Sequence, residues 1–152
     1  VRVPVVAAGG IMDGAGIAAA LALGAQAALL GTAFVVAAES GAPDAHKKAI
    51  AAMDGDETAI TRAFSGKQAR TVRTAFTEAA AREGWPLLPS RQNKLTGPLR
   101  QASAREGSAE DYSPWSGQAG ALARPLPAAE FVRLLVEETL DTIDRLHGAI
   151  TS

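Results

Sequence analysis

Two short stretches of this sequence have the residue types that an anion site needs. Gly9-Gly10 follow the apolar run Val3-Pro4-Val5-Val6-Ala7-Ala8, and Gly31-Thr32 follow Ala27-Ala28-Leu29-Leu30. Glycine at the end of a strand lets a backbone amide approach an anion with no Cβ in the way. A helix starting just beyond it adds favourable partial charge. Thr32 brings a hydroxyl that serves as a helix cap, as a phosphate donor, or as both. Either corner alone also reads as a tight turn; two of them one unit apart read as halves of a single phosphate site.

The elements that must position these corners follow from the pattern around them. Val3 to Ala8 is continuously apolar rather than alternating, which suits a parallel strand covered on both faces. Asp13 is a helix N-cap, Ile17 to Leu23 an alanine-rich helix, and Gly24 its C-cap glycine. Ala27 to Leu30 is the second strand, so the first thirty residues form one βαβ unit with a right-handed crossover. In (β/α)8 barrels the loops after strands seven and eight often form a phosphate site at the catalytic face. The expected fold is therefore α/β, the C-terminal part of a TIM (β/α)8 barrel.

Beyond Val36 the character changes. Asp44 to Met53 predicts an exposed helix, Asp54-Gly55-Asp56 a turn, and Thr58 to Thr61 a short strand. Thr71 to Arg82 predicts another helix, stopped by Gly84 and Pro86. Trp85 to Arg124 is loop-rich and punctuated by proline, with a helix over 98–106. Pro127 opens the last helix, whose apolar stripe is Phe131, Leu134, Leu135, Leu140, Ile143 and Leu146, with Gly148 following it. This divides the chain into 1–40, the last two β/α units; 41–125, a small, mainly helical and loop-rich capping or substrate domain; and 126–150, a final helix packing back on the barrel.

Composition bounds the class. The 152 residues are 47% hydrophobic and 20% charged, with a net charge of -1 and no cysteine. That balance is globular and argues for neither nucleic acid nor an anionic membrane as partner. The absence of cysteine removes disulfides, thiolate nucleophiles and cysteine metal sites, and is compatible with a reducing, cytoplasmic location. Ile17 to Val36 is too interrupted for a membrane span, and the opening lacks the order of a secretory signal. It starts without methionine and enters a strand within three residues, which reads as a fragment. Two parallel strands cannot cover their own edges. The missing strands must come from the rest of a larger chain or from a homo-oligomer partner.

Other chemistry is sparse. No carboxylate pair, Ser-His-Asp order or metal-ligand spacing stands out, so no metal is expected, and Gly14-x-Gly16 is too short for a dinucleotide fingerprint. His46 and His147 read as surface residues on their helices. Lys67, Arg70 and Arg73 recur every three residues, as on a solvated helical face. Gln92, Asn93 and Gln118 are uncharged hydrogen-bonding groups on loops, suited to orienting a small substrate in an apolar pocket. Trp115 is a pocket wall or a core anchor for its loop.

Several blocks resemble the nitronate monooxygenase family, formerly called 2-nitropropane dioxygenases. They are Ala7-Ala8-Gly9-Gly10-Ile11-Met12-Asp13-Gly14, Ala18 to Ala25, Gly31-Thr32-Ala33-Phe34, and Ala63-Phe64-Ser65-Gly66-Lys67-Gln68-Ala69-Arg70. Gln92-Asn93 with Leu95-Thr96 and Pro98-Leu99-Arg100, Trp115-Ser116-Gly117-Gln118 and Leu126-Pro127-Ala128-Ala129-Glu130 continue the likeness over essentially the whole chain. The resemblance implies an FMN-dependent oxidoreductase that oxidises alkyl nitronates with O2 to a carbonyl compound and nitrite. It implies that Gly9, Gly10, Leu29, Leu30, Gly31 and Thr32 bind the FMN phosphate end; Gln92, Asn93, Trp115 and Gln118, from their side-chain character, are the candidates toward substrate. The family often has Gln-Met where Leu29-Leu30 stand, so the contacts expected there are those of the backbone. No catalytic residue is expected here, because the family's histidine lies on an earlier strand. An FMN-dependent enoyl-thioester reductase of the same barrel superfamily, and a non-catalytic half-barrel assembly module, are the alternative readings.

Overall fold

The computed structural model of the chain describes residues 2–85, 88–89 and 91–151. Val1 and Pro86, the latter expected to help stop a helix, lie outside the described residues.

Strand β1 (Val6–Ala8), helix α1 (Gly14–Ala22) and strand β2 (Ala27–Leu29) form the expected unit, with β1 and β2 parallel. Asp13 caps α1, its Oδ1 accepting from the Gly16 amide at 2.8 Å. The helix is largely alanine, the best helix former, and it gives way at Gly24, whose φ of +99° is open to glycine at little cost. The strands are not covered on both faces as expected: Val6 is 53% and Leu29 63% exposed. The pair stands as a two-stranded sheet, and no further strand among the described residues pairs with it.

Helix α2 (Thr32–Val35) and helix α3 (Asp44–Ala51) lead to strand β3 (Thr58–Thr61), which falls where it was expected. The residues after it correct the sequence reading. Ala69–Val72 is strand β4, antiparallel to β3 with Thr58 opposite Val72, so Arg70 lies on a strand and the three basic residues do not share a helical face. Helix α4 (Ala75–Glu83) starts later than expected because Thr74 is its N-cap. Thr74 and Thr77 exchange side-chain-to-backbone bonds in a buried capping box. Gly84, left-handed at φ +61°, ends it.

Helix α5 (Gln92–Arg105) begins six residues before Pro98, so Gln92 and Asn93 are helical rather than on loops. Tertiary contacts outweigh the proline, which removes one helix donor. Gln92 Nε2 donates to the Ala63 carbonyl at 2.6 Å, and Thr96 Oγ1 donates to that of Phe64 at 2.7 Å. A 3₁₀ turn (Gly120–Leu122) precedes helix α6 (Ala128–Thr151), which runs through Gly148 instead of ending before it.

Helix α6 lies along α1. Phe131 and Leu135 pack with Met12 and Ala33 into one core cluster, and Phe34 meets Phe131 edge-on at 5.3 Å. A second cluster joins Val36, Ile50, Met53 and Val72. Of the expected stripe on α6, Leu140, Ile143 and Leu146 remain exposed. Gly14 explains the close crossing: a Cβ there would lie 2.4 Å from both Glu138 Cβ and the Thr139 amide nitrogen. Its amide donates to Glu138 Oε2 at 3.0 Å, and Arg124 pairs with the same carboxylate while stacking over Phe131 at 5.2 Å. Arg124 holds the Glu138 carboxyl below the usual carboxylate range, against the opposing effect of burial.

The crossing yields a paired expectation for thermal unfolding. Gly14→Ala should destabilise by about 1–3 kcal/mol through overpacking, although alanine is the better helix former. Gly148→Ala on α6, where a Cβ meets nothing, should stabilise by up to about 1 kcal/mol. A Gly14→Ala protein melting at or above the parent would rule out the close-approach account.

Candidate functional site

The parallel register Ala8↔Leu29 brings the chain out of both strands at one edge, so the two glycine corners emerge side by side. Gly9, Gly10, Leu29, Leu30, Gly31 and Thr32 all line one cleft of about 410 Å³, completed by Ala8, Ile11, Met12 and Gly117. No charged side chain faces it. What it offers an anion is backbone: among the described residues, the amides of Gly10 and Gly31, outside the strand ladder and the helices, donate to no acceptor within the chain. The α1 terminus contributes less than expected, because Asp13 already occupies it.

The glycines differ in why they are glycine. Gly9 and Gly10 have φ of +100° and +71°, a conformation that L side chains rarely adopt. Gly31 has φ −111° and ψ −69°, open to any residue, and a Cβ on it would meet nothing within 4 Å. The chain's own packing therefore does not require glycine at Gly31.

Thr32 is the first helical residue of α2 and makes no cap bond, so it does not act as the cap considered from the sequence. Its Oγ1 accepts from the Gly117 amide at 2.7 Å. A hydroxyl carries one proton and two lone pairs, so this bond leaves its proton for another acceptor.

Gly117 belongs to a strap, residues 115–118, laid along β4. Pro114 O accepts from the Val72 amide and the Thr71 hydroxyl, and the Ser116 amide donates to Arg70 O at 3.3 Å. His46, expected on a solvated surface, is buried at 7% exposure, and its Nε2 donates to the Trp115 carbonyl at 2.8 Å. Charged Asp44 and Lys48 face outward on α3, while Ala45, His46 and Ile50 face in.

The four residues expected toward substrate are not brought together in the cleft. Gln92 is buried on Ala63 O, and Asn93 is exposed and accepts from Arg100 at 2.6 Å. Trp115 packs edge-on to Phe64 at 5.8 Å, as a core anchor would. Gln118 Nε2 donates to Asp56 Oδ2 at 2.9 Å. Sequence reasoning missed Gly117, and its only signal was a glycine between polar residues in the Trp115–Gln118 block. A larger hollow of about 570 Å³ lies between α1, the 3₁₀ turn and α6. Its Arg124 and Glu138 pair with each other and Asp13 caps α1, so those groups are committed within the chain. Among the described residues no cluster of metal-ligating side chains occurs, and no helix is long and apolar enough to cross a membrane.

A parallel βαβ unit with a backbone-lined cradle at the strand ends defines an α/β chain consistent with part of a (β/α)8 barrel enzyme. Comparison with known proteins narrows this. The family model for nitronate monooxygenase matches residues 1–138, and the chain belongs to that family of oxidoreductases. It is 45% identical to a nitronate monooxygenase of Paraburkholderia phytofirmans over 96% of its length, and 47% identical to one of Pseudomonas aeruginosa over 89%. It spans 40% and 39% of those relatives, about two fifths of their length. Nitroalkane oxidase from Streptomyces ansochromogenes superposes with a TM-score of 0.89 at 44% identity, covering 96% of this chain and 42% of that one. FabK from Thermotoga maritima superposes at 0.83 with 33% identity, over 98% of this chain and 48% of that one.

The buried His46 carries a pH signature. Burial pushes its pKa below the usual histidine value, partly offset by the Trp115 carbonyl. Above the unfolded value of about 6.5 both states are neutral and stability is at its full level. As pH falls below it the unfolded chain takes up the proton first, so stability is lost until the lowered folded pKa is passed. The urea midpoint should drop between pH 7.5 and pH 5.5, and His46→Gln should flatten that drop. An equal drop in the variant would assign it elsewhere.

Proposed function

We propose that this chain is the FMN-phosphate-binding part of a flavoenzyme that oxidises alkyl nitronates with O2 to a carbonyl compound and nitrite. The observation that carries the reading is Gly31: a glycine the chain's own packing does not need, whose missing Cβ leaves open space in a cleft of unpartnered amides. That is the arrangement expected where a bound group occupies the space. The donor set fits a phosphate monoester, with amides of Gly10 and Gly31 and the Thr32 hydroxyl, Gly9 lining the corner beside them, and no carboxylate in the lining. Leu29 and Leu30 would line the corner through backbone and apolar surface.

Bound FMN would supply the electron-transfer chemistry, and the share of these residues is to bind, orient and exclude water. No catalytic base is assigned among them, since the Nε2 of buried His46 is engaged by Trp115. The proposed organisation is 1–40 as the last β/α units of the barrel, 41–125 as a cap over its mouth, and 126–150 as the returning helix. The remaining strands would come from the rest of the polypeptide, with nitronate and O2 as the small-molecule partners.

The likeness to FabK favours a second reading, an FMN-dependent enoyl-thioester reductase. That enzyme would require a nicotinamide, whereas nitronate oxidation would consume O2 without one. For the shared site, Gly31→Val or Gly10→Val in the full-length protein should abolish flavin retention, read as the ratio of flavin to protein absorbance after purification. A folded Gly31→Val protein with stoichiometric flavin would refute the cradle.

A further inference from the structure

We infer that the strap at residues 115–118 positions the Thr32 hydroxyl toward a bound phosphate, and that His46 and Gln118 are the side chains that hold the strap in place. The inference rests on the phosphate site proposed above, and it assigns roles to residues outside the two glycine corners.

The strap lies directly against both corners. A Cβ on Gly117 would be 3.3 Å from Thr32 Oγ1 and 3.6 Å from the Gly10 amide nitrogen, and the Gly117 amide donates to that same Oγ1. A threonine hydroxyl has three staggered positions about χ1. The Gly117 donor selects one of them and engages one lone pair, leaving the proton as the group's remaining directional function. Hydrogen bonds from an oriented donor to a phosphate oxygen are charge-assisted and stronger than neutral ones.

The strap is fixed on both sides of Gly117. Upstream, His46 reaches from α3 to the Trp115 carbonyl, and the Ser116 amide is held by Arg70 O on β4. Downstream, Gln118 donates to Asp56, itself set by the Thr58 hydroxyl at 2.6 Å. None of these anchors belongs to the β1-α1-β2 unit. Losing one should therefore leave the cleft formed but its Thr32 donor unfixed.

The test uses the apo form of the full-length protein with two probes, FMN and riboflavin, which lacks the phosphate. Gln118→Ala and His46→Leu should each weaken FMN binding by about three- to tenfold, as expected for a hydrogen bond to a charged group, with riboflavin unchanged. His46→Gln, whose amide can still donate to the Trp115 carbonyl, should restore FMN binding. In a Thr32→Val background, Gln118→Ala and His46→Leu should cost nothing further. Equal losses for both flavins, losses that add to that of Thr32→Val, or unchanged FMN affinity would each overturn the inference. Gln118 is exposed, so its variant decides the matter if His46→Leu does not fold. Hydrogen exchange of the Gly117 amide supplies a readout without flavin: slow in the parent, faster in Gln118→Ala and Thr32→Val. Should the parent bind FMN no better than riboflavin, the phosphate site itself falls, and unchanged Gly117 exchange would separately overturn the positioning role.

Discussion

Everything at the candidate site depends on two strands running parallel in one register. Pairing Ala8 with Leu29 brings both chains out at the same edge, so corners about twenty residues apart in sequence become neighbours. An antiparallel pair would have sent them to opposite edges. The crossover helix makes the parallel pair possible, and α1 is well built for that task, with Asp13 closing one end and Gly24 the other. The same Asp13 removes the α1 terminus as an anion site. The amides that remain unpartnered belong to the corners, which gives the cleft its position and its polarity together.

The second constraint is the crossing of α1 and α6. Gly14 has no side chain because the α6 backbone lies where it would be. That contact seats Phe131 and Leu135 over Met12 and Ala33, just behind the corner residues. Met12 therefore lines the cleft on one side and belongs to the core on the other. Site and core share a wall, so loosening α6 would reach the cleft without touching any group that faces it.

How far this was legible in the sequence follows from how local each signal is. The βαβ unit, its caps and the six corner residues depend on neighbours within about a dozen positions, and an uninterrupted apolar run ending in glycine reports them directly. Strand β3 was legible for the same reason. Strand β4 was not: Ala69-Arg70-Thr71-Val72 has no alternation, and its identity comes from pairing with β3 and with the strap. The start of α5 was hidden because Gln92 and Thr96 are held by carbonyls 29 and 32 residues away. His46 reads as a surface residue beside Asp44 and two lysines, until a carbonyl 69 residues on turns its face of the helix inward. Gly117 meets Thr32 across 85 residues, a separation at which periodicity carries no information.

The backbone character of the cleft also limits what Leu29 and Leu30 contribute to it. The donors it offers are amides and one hydroxyl, none supplied by the side chains of Leu29 and Leu30. Leu30 packs against the core cluster while Leu29 points to open surface. Those two side chains shape the apolar lining and leave the polar donors untouched. A cleft whose donors are backbone constrains its sequence through conformation, as the positive φ of Gly10 does, more than through side-chain identity.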